Sequence, residues 1–378
     1  MAQARRLVKR HDGLFERVVD FEYLMACAKR AARGKRHRPD VLAFRFGLER
    51  EVLAIQRALQ DGTWQPSGYR EFVVREPKVR TISAAPFKDR VVHHALVSVL
   101  EPIYERIFIS DSYASRKEKG THLAVRRYQN WARASSHYLK MDVRKFFPSI
   151  DHKILLELLA RRIADPRVLH LARRIVAGSN PQEHVDLWFP GDVPADEFRR
   201  RGLPIGNQTS QFFANVYMDP LDQFLKRRLG VGRYLRYVDD LALLGDSRAE
   251  LRDLRREVER FAEGLRLRFN PNKCFIGPVG GGLTLLGYRV WPDRIRLPRK
   301  NVVRARRRLN RLARDVQRRR LPLDRASAAL NAWIGHASHA DSWRLREQML
   351  AQVVFKLSAR PGGEGRCADR LPRRVVEQ

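Results

Sequence analysis

The sequence predicts an α+β protein in which an antiparallel sheet carries a few acidic residues between two largely helical regions. Residues 138–143 alternate apolar and polar side chains, which is the period of a strand. Short apolar runs at 234–235 and 241–244 flank an acidic turn, which is the pattern of a β-hairpin. Apolar residues at helical spacings dominate the segments before and after these strands, so the sheet is expected to lie between helices.

The N-terminal third of the chain is predicted to be mainly helical. Residues 14–60 carry apolar side chains at helical spacings, and residues 86–108 form a further helical segment rich in Val, His and Leu. Between them, residues 69–83 predict two short strands joined by a turn. Further along the chain, the Gly-, Pro- and Asp-rich region 176–201 is typical of an irregular insertion.

Two acidic positions stand out on the predicted sheet. Asp142 lies at or near the end of its strand, before the chain enters a helix that starts near Asp151. Asp239 and Asp240 are adjacent in the turn of the hairpin, within the string Tyr-Val-Asp-Asp that begins at Tyr237. Taken alone, that string is also compatible with an ordinary polar turn, because short strings of this kind arise by chance.

Together, the three carboxylates favour a metal site. Ionised carboxylates close to buried strands are costly unless they are paired or bind a metal, and hard oxygen ligands select Mg²⁺. One carboxylate on a strand and two on a hairpin can face each other across a sheet. Such a set can hold two Mg²⁺ ions about 3.5–4 Å apart, the arrangement that supports in-line phosphoryl transfer.

The segment from Arg294 to Arg320 is extremely basic and contains a single acidic residue, Asp315. A thin apolar stripe predicts a helix with one packed face, and its members are Val303, Leu309, Leu312 and Val316. The opposite face is expected to lie along phosphates and to bind nucleic acid without sequence preference, the alternative being a solvated helix. The expected contact residues are Arg304, Arg307, Arg308, Arg311 and Arg314.

The composition of the whole chain also indicates a polyanionic partner. Its 378 residues carry a formal net charge of +33, which favours nucleic acid over a membrane surface because no long apolar segment is present. The length suffices for two or three subdomains. The N-terminus lacks the apolar core of a secretory signal. The cysteines are few and scattered, which indicates a reducing cytoplasm and no cysteine-based zinc site: Cys27, Cys274 and Cys367.

These blocks resemble reverse transcriptases over roughly residues 35–345. The resemblance implies a right-hand polymerase with helical fingers and thumb and an antiparallel palm sheet. In its metal site, two Mg²⁺ ions, with Mn²⁺ as a substitute, would be held by Asp142, Val143, Asp239 and Asp240. The expected boundaries are an N-terminal helical extension and fingers at 1–67, fingers at 68–137, palm at 138–291, thumb at 292–345, and a C-terminal helix with a loose tail at 346–378.

Two further blocks concern the incoming nucleotide. Residues 77–82 resemble the fingers hairpin whose cations hold the triphosphate, which assigns Lys78 and Arg80 to dNTP binding. Phe147, five residues after Asp142, matches the aromatic gate that excludes a ribose 2′-hydroxyl, and it argues against an RNA polymerase or primase. The alternatives are surface solvation for the two cations and simple core packing for Phe147.

A block near the template follows in the family's order. Residues 112–122 resemble the motif that lies close to template and nucleotide, so Arg116 and Lys119 are expected to bind nucleic acid. Tyr237, the first residue of the acidic turn motif, is expected to do the same.

Two later blocks complete the resemblance. Residues 269–273 resemble the motif whose lysine protonates the leaving pyrophosphate, so Lys273 is a candidate general acid. Residues 285–288 resemble the primer grip, in which Gly287 and Tyr288 would contact nucleic acid.

Ile205 stands where most reverse transcriptases carry Gln before the long palm helix. The string Ile-Gly-x-x-x-Ser-Gln, which ends at Gln211, resembles the enzymes of diversity-generating retroelements, as do residues 84–94 and 333–337. That subtype copies a template-repeat RNA, misincorporates opposite adenine and acts with a small basic oligomeric accessory protein. The resemblance assigns Ile205, Gly206 and Gln211 to the nucleotide site, with plain packing as the alternative for Ile205.

Other functions stay open from the sequence. An antiviral-defence reverse transcriptase shares these motifs but makes cDNA for immunity. A non-catalytic RNA-binding protein is a different class, which the intact Asp142, Asp239 and Asp240 disfavour. For the enzyme, the expected partners are template and primer RNA, the cDNA product and dNTPs, and the expected setting is the cytoplasm of a bacterium, with the gene bacterial or phage-encoded.

Overall fold

The computed structural model describes residues 9–75, 79–180, 183, 185 and 188–352. The chain divides into two compact units, a larger one at Met1–Gly282 and a smaller one at Leu283–Gln378. Each unit combines helices with an antiparallel sheet, which confirms the predicted mixture of helix and antiparallel strand. Within the described residues, none of the helices has both the length and the apolar character needed to span a bilayer.

The elements of the larger unit are numbered in chain order. Its helices are α1 (Phe15–Val19), α2 (Phe21–Ala31), α3 (Pro39–Phe46), α4 (Leu48–Gln60), α5 (Phe87–Glu105), α6 (Thr121–Ala132), α7 (Phe146–Ser149), α8 (His152–Ala160), α9 (Pro166–Ala177), α10 (Gln208–Gln223) and α11 (Arg248–Gly264). Its strands are β1 (Arg70–Val74), β2 (Arg80–Ala84), β3 (His137–Asp142), β4 (Tyr234–Tyr237), β5 (Asp240–Gly245) and β6 (Phe275–Pro278).

The N-terminal helices form where the sequence predicts them. The Asp20 carboxylate begins α2 by accepting a hydrogen bond of 2.7 Å from the Tyr23 amide, which satisfies one of the free amides at a helix start. Leu24 and Cys27 then face inward, where α2 packs against α5. The strand pair β1 and β2 is antiparallel, as predicted. The turn predicted between them falls at 76–78, outside the described residues.

The central sheet positions the acidic residues. Its strand order is β4-β5-β3-β6, and every neighbouring pair is antiparallel. Strand β3 is central and buries Leu139 and Met141 completely, so its polar end at Asp142 is held by packing on both sides. The predicted strand, the predicted hairpin and the helix predicted to start near Asp151 are all confirmed.

Helix α10 runs through the core of the larger unit. It packs against α5 and α8 and buries Phe213, Tyr217, Met218 and Leu221 almost completely. Because so much of its surface is apolar, burial against several elements stabilises it more than intrinsic propensity does. The helix begins at Gln208, three residues after Ile205, so the core fixes the position at which the loop containing Ile205 ends.

The predicted irregular region 176–201 contains little regular structure in its described part. Helix α9 ends at Ala177, and a short 3₁₀ turn follows at Pro194–Phe198. Positions 181, 182, 184, 186 and 187 lie outside the described residues.

In its described part, residues 283–352, the smaller unit has three strands and three helices. These are β7 (Leu283–Leu285), β8 (Tyr288–Val290), β9 (Ile295–Arg296), α12 (Arg299–Gln317), α13 (Leu323–Ala337) and α14 (Trp343–Gln352). The predicted arginine-rich helix is therefore confirmed as α12.

The packed face of α12 differs from the prediction at one position. Leu309 and Val316 are buried and Leu312 packs beside them, as expected. Val303 was predicted to join this stripe but is 41% exposed, and Val302 packs in its place. Neighbouring helix residues point about 100° apart, so the assignment of Val303 to the packed face was wrong by one position.

Candidate functional site

The three predicted carboxylates meet at one end of the central sheet. Asp142 and Asp240 are direct register partners across β3 and β5. Asp239 precedes β5 in the hairpin turn, and its carbonyl accepts a hydrogen bond of 3.1 Å from the Val143 amide. Asp142 is only 8% exposed. The fold therefore brings one acidic side chain from β3 close to two from the hairpin.

The surroundings of Asp239 and Asp240 disfavour the ionised form of both side chains. Burial and, to a smaller extent, the nearby Asp240 and Asp142 carboxylates together raise the pKa of Asp239 to about 6. Burial also raises the pKa of Asp240, although Lys140 acts in the opposite direction. Buried acids that repel one another are a feature of sites that bind cations or perform chemistry.

Two lysines lie against the acidic group. The Lys273 ammonium forms an ion pair with Asp142, and Lys140 lies 3.5 Å from Asp240 Oδ1. Lys273 is brought there by the segment after α11, because the Asn270 amide donates a hydrogen bond of 2.8 Å to the Asp142 carbonyl. The candidate general acid therefore contacts the acidic site directly.

The residues present fit a hard divalent cation in type. Among the described residues, no group of three or more His, Cys, Asp or Glu side chains already converges as a metal cage, and the lysines supply positive charge instead. However, Asp240 Oδ1 is buried and has no assigned hydrogen bond within the described residues, although the Lys140 ammonium lies 3.5 Å away as an ion pair. Carboxylate oxygens such as Asp142, Asp239 and Asp240 suit Mg²⁺, whereas Val143 can offer only its main-chain carbonyl.

The predicted nucleotide residues Ile205 and Gly206 lie against β2. The Ile205 carbonyl accepts a hydrogen bond of 3.0 Å from the Ser83 amide. Gly206 has φ +116°, and a Cβ there would lie 2.7 Å from Ile82 Cγ2. Glycine is thus required at this position both by conformation and by space.

Asn207 was missed by the sequence analysis and completes this attachment. Its side chain accepts a hydrogen bond of 3.1 Å from the Ala85 amide and donates one of 2.8 Å to the Ser83 carbonyl. The buried amide thereby ties the loop before α10 to β2, whose first residue is the exposed Arg80. The sequence feature that could have indicated this role is a polar residue directly after Gly206. Lys78, the other predicted triphosphate contact, lies outside the described residues.

Phe147 is half-buried beside this loop. Its ring packs edge-on against Phe146, with 5.5 Å between the ring centroids, and its carbonyl accepts a hydrogen bond of 3.0 Å from the Leu203 amide. Gln211 is exposed at the start of α10 and accepts a hydrogen bond of 3.2 Å from the Ser115 hydroxyl. The predicted gate is therefore attached to the segment that leads to Ile205.

Arg116 is engaged within the protein. Its side chain is 5% exposed and forms an ion pair of 2.8 Å with Glu105. The same guanidinium donates to the carbonyls of Ile109 and Ser112, at 2.6 and 3.0 Å. These bonds hold the loop after α5 in place, so the position of Arg116 does not support the predicted direct contact with nucleic acid.

Lys119 and Tyr237 are less enclosed. Lys119 is half-buried and donates a hydrogen bond of 2.7 Å to the Ser110 carbonyl. The Tyr237 hydroxyl accepts a hydrogen bond of 3.2 Å from Thr121, which links the acidic hairpin to the start of α6. Both side chains remain candidates for nucleic-acid contact.

In the smaller unit, Gly287 lies in a turn with a positive φ, whereas the neighbouring Tyr288 is buried. Gly287 adopts φ +93°, and its carbonyl accepts a hydrogen bond of 3.1 Å from Asn301. Tyr288 is fully buried, and its hydroxyl donates to the His336 carbonyl at 2.9 Å. Its position therefore does not support the direct nucleic-acid contact predicted for the ring.

The arginines of α12 are available to a partner. Residues on the side of the helix opposite Leu309 and Val316 are exposed, and no carboxylate is paired with them within the described residues. They are Arg304, Arg307, Arg308, Arg311 and Arg314.

Arg236 is the second residue that the sequence analysis missed. It is completely buried in β4 and forms an ion pair of 2.7 Å with the equally buried Asp222 of α10. It also donates a hydrogen bond of 3.1 Å to the Val238 carbonyl, inside the acidic turn. The sequence feature that could have indicated this role is an arginine between Leu235 and Tyr237 in a predicted strand. Strand alternation alone does not decide whether such a side chain lies on the buried or the exposed face of the sheet.

Comparison with known proteins identifies the class. The family described as reverse transcriptase (RNA-dependent DNA polymerase) matches residues 74–290, which is more than half of the chain and includes Asp142, Asp239, Asp240 and Lys273. The chain belongs to the reverse transcriptase family. Its enzymatic class is accordingly that of an RNA-directed DNA polymerase.

Several curated proteins are similar to this chain. Protein YkfC of Escherichia coli strain K12 is 25% identical over 311 residues, covering 70% of this chain and 76% of YkfC. The group II intron-encoded protein LtrA of Lactococcus lactis subsp. cremoris is 24% identical over 221 residues, or 58% of this chain and 34% of LtrA. Nuclear intron maturase 1, mitochondrial, of Arabidopsis thaliana is 33% identical over 97 residues, or 25% of this chain and 14% of that protein. The predicted resemblance is thus confirmed at the level of the family.

Proposed function

We propose that this chain synthesises cDNA on an RNA template, with Asp142, Asp239 and Asp240 forming the catalytic centre. The observation that carries the proposal is the direct opposition of Asp142 and Asp240 on β3 and β5, beside Asp239, inside the segment that matches the family. The primer 3′-hydroxyl attacks the α-phosphate of a dNTP, and pyrophosphate leaves. Mg²⁺, or Mn²⁺ in its place, would be held by the three carboxylates and the Val143 carbonyl and would stabilise the charge of the transferring phosphate.

The chain's own residues supply the rest of the chemistry. Lys273, in contact with Asp142, is the proposed general acid that protonates the departing pyrophosphate. Arg80 is exposed at the start of β2 and, with Lys78, neutralises the triphosphate. Ile205, Gly206 and Gln211 contact the base and sugar of the nucleotide.

Phe147 is proposed to select deoxyribonucleotides. A bulky ring five residues after Asp142 leaves no space for a 2′-hydroxyl, and its packing on Phe146 restrains the ring. A restrained side chain excludes an additional hydroxyl more effectively than a mobile one, since it does not yield to the substrate.

We assign the right-hand arrangement to this chain as follows. Residues 1–67 are assigned to an N-terminal helical extension of the fingers, 68–137 to the fingers, 138–291 to the palm, 292–345 to the thumb, and 346–378 to a C-terminal helix and tail. Residues 1–8 and 353–378 of this assignment lie outside the described residues. The antiparallel sheet β4-β5-β3-β6 supports the palm assignment. The exposed arginines of α12 support the thumb as a binding surface for the phosphates of template and primer.

Within the family, the proposed role is mutagenic cDNA synthesis in a diversity-generating retroelement. The support is Ile205 in the string Ile-Gly-x-x-x-Ser-Gln. An apolar side chain discriminates less sharply between substrates than a hydrogen-bonding one, so Ile205 relaxes the check on the base pair. The proposed partners are a template-repeat RNA and a small basic oligomeric accessory protein in the bacterial cytoplasm. cDNA synthesis for antiviral defence is the second candidate, because it uses the same motifs.

Primer extension on an RNA template with Mg²⁺ and dNTPs, followed by product sequencing, tests these proposals. Asp239-dependent cDNA with substitutions concentrated opposite adenine is the expected result. Accurate cDNA would still support polymerase activity but would favour the antiviral-defence role over the mutagenic one. A gene that lies among defence genes, without a template/variable repeat pair, would support the same conclusion. If no product depends on Asp239, even when native RNA and accessory protein are supplied, the catalytic proposal is rejected in favour of RNA binding alone. Such a product is recognised by its loss in Asp239→Ala.

A further inference from the structure

Arg236 connects the acidic turn to the core of the larger unit. All three guanidinium nitrogens are bonded, although the side chain is completely buried. Nε and Nη2 both donate to the Asp222 carboxylate, at 2.9 to 3.0 Å and 2.7 Å respectively. The Tyr234 hydroxyl adds a bond of 2.6 Å to the same carboxylate. A buried charge is tolerated only when its partners are this complete.

The remaining bonds of Arg236 reach α10 a second time and two other segments. Nη2 donates to the Ser112 hydroxyl at 3.1 Å, and Nη1 donates to the Asn215 side chain at 3.2 Å. Nη1 also donates to the Val238 carbonyl at 3.1 Å. The main chain of Arg236 is fixed as well, since its amide donates to the Asp111 carbonyl at 3.0 Å and its carbonyl accepts from the Tyr113 amide at 2.9 Å. One side chain thus joins α10, the loop after α5 and the acidic turn.

Val238 needs such a restraint. It adopts φ +56°, the left-handed region that β-branched residues rarely occupy. The peptide after Val238 leads directly to Asp239, whose carbonyl is held by the Val143 amide. If Val238 relaxed to a negative φ, the direction of the following peptide would change, and both carboxylates would move away from Asp142.

We propose that Arg236 is a positioning residue, which holds Val238 in its left-handed conformation and so aims Asp239 and Asp240 at Asp142. This inference rests on the proposed function of the carboxylates. It requires arginine specifically, because only a planar guanidinium reaches Asp222, Asn215, Ser112 and Val238 together, whereas an ammonium is a compact point charge. A purely structural ion pair would need Asp222 alone.

The test uses Arg236→Lys, which keeps a positive charge beside Asp222 but loses the simultaneous bond to Val238. We expect kcat of primer extension to fall about tenfold, the fold-change of one hydrogen bond from a charged donor, with the KM for dNTP nearly unchanged. Amide hydrogen exchange in residues 238–241 should accelerate at the same time. Arg233→Lys is the matched control, since Arg233 lies on the same hairpin and pairs with the exposed Asp246, and neither quantity should change.

A second substitution separates positioning from stability. Val238→Gly in the Arg236→Lys background removes the conformational penalty of a positive φ, so it should restore kcat without restoring the melting temperature. The inference would be overturned if Arg236→Lys showed wild-type amide exchange and wild-type kcat. It would also be overturned if adding Val238→Gly failed to restore kcat. Hydrogen exchange needs no catalysis, so failure of wild type to extend primers would reject the proposed function while the exchange data still decide the role of Arg236.

Discussion

Asp142 lies directly opposite Asp240 on neighbouring antiparallel strands, so two acidic side chains share one end of the central sheet. Like charges in such a pair destabilise a sheet, and Asp239 adds a third carboxylate beside them. A fold that keeps this arrangement gives up stability at the place where the proposed chemistry needs concentrated negative charge. Lys273 and Lys140 offset part of that charge.

Asp239→Asn is expected to stabilise the metal-free protein and to abolish activity. The folded-state pKa of Asp239 is raised to about 6 from its ordinary 3.8, so ionisation costs the wild-type fold free energy as the pH rises from about 4 to beyond 6. The loss is at most about 3 kcal/mol. Thermal unfolding in EDTA across this pH range should show a steeper decline in wild type than in the variant, in which Asp219 and Asp240, whose pKa values are also raised, still contribute. An equal decline in both proteins would contradict the assigned pKa.

Asp253→Asn serves as its control, because Asp253 is a surface residue of α11 that pairs only with Arg256 among the described residues. It should leave both the pH profile and primer extension unchanged. Adding Mg²⁺ should raise the melting temperature of wild type and of this control more than that of Asp239→Asn.

Lys273→Met is expected to lower kcat by about 10² or more, the usual contribution of a general acid. Because the ammonium now neutralises Asp142, its removal should also decrease the Mg²⁺ concentration needed for half-maximal thermal stabilisation. Lys153→Met, at an exposed position of α8, should change neither value. A normal kcat in Lys273→Met would remove Lys273 from the mechanism.

Phe147→Val should increase the use of ribonucleotides relative to deoxyribonucleotides by about tenfold or more. The smaller side chain opens space where the ribose 2′-hydroxyl is proposed to be excluded. The ratio of kcat/KM for GTP and dGTP measures the effect. Phe146→Leu is the matched control: Phe146 is buried in the core, so this change should lower stability and leave the ratio intact. A constant ratio in Phe147→Val would indicate that Phe147 is simply a packing residue.

Ile205→Gln should reduce errors opposite adenine, because a polar side chain restores a hydrogen-bonding check on the base pair. Ile205→Met retains the apolar surface and should keep the wild-type error spectrum. Sequencing of cDNA from one adenine-rich RNA template compares the three proteins. An identical error spectrum in all three proteins would contradict the proposed role of Ile205 in fidelity.

Arg307→Gln/Arg311→Gln should weaken binding to a primer–template duplex and flatten its dependence on salt by roughly 0.7–0.9 logarithmic units per lost phosphate contact. The double control Arg256→Gln/Arg260→Gln removes the same charge from α11, where both arginines pair with acids. Fluorescence anisotropy across a salt series measures both slopes. Equal slopes in the two double variants would attribute the effect to net charge rather than to α12.

Much of the fold follows from local patterns in the sequence. The alternation in β3, the apolar runs around Asp239 and the arginine-rich helix α12 each predict the element that forms. The opposition of Asp142 and Asp240 could be expected only in outline, because strand register depends on pairing across almost a hundred residues. The error at Val303 has the same origin: with Val302 beside it, the local pattern leaves the packed position ambiguous.

The roles of Arg236 and Asn207 could not be predicted from the sequence. Both are polar residues whose partners lie far along the chain, Asp222 and Ser112 for one and Ser83 and Ala85 for the other. Burial of such a group depends on tertiary partners that complete its hydrogen bonds. Arg116 shows the converse: a basic residue in a motif-like segment is used to hold its own loop.

Mg²⁺-dependent primer extension on a defined RNA template by wild type, Asp142→Asn and Asp253→Asn tests most directly whether the three carboxylates catalyse cDNA synthesis. Wild type and Asp253→Asn should produce full-length cDNA, whereas Asp142→Asn should produce none above background despite a folded protein and normal RNA binding. Extension by Asp142→Asn at the wild-type rate would contradict the central claim that the carboxylates of β3 and the β4–β5 hairpin form the catalytic centre.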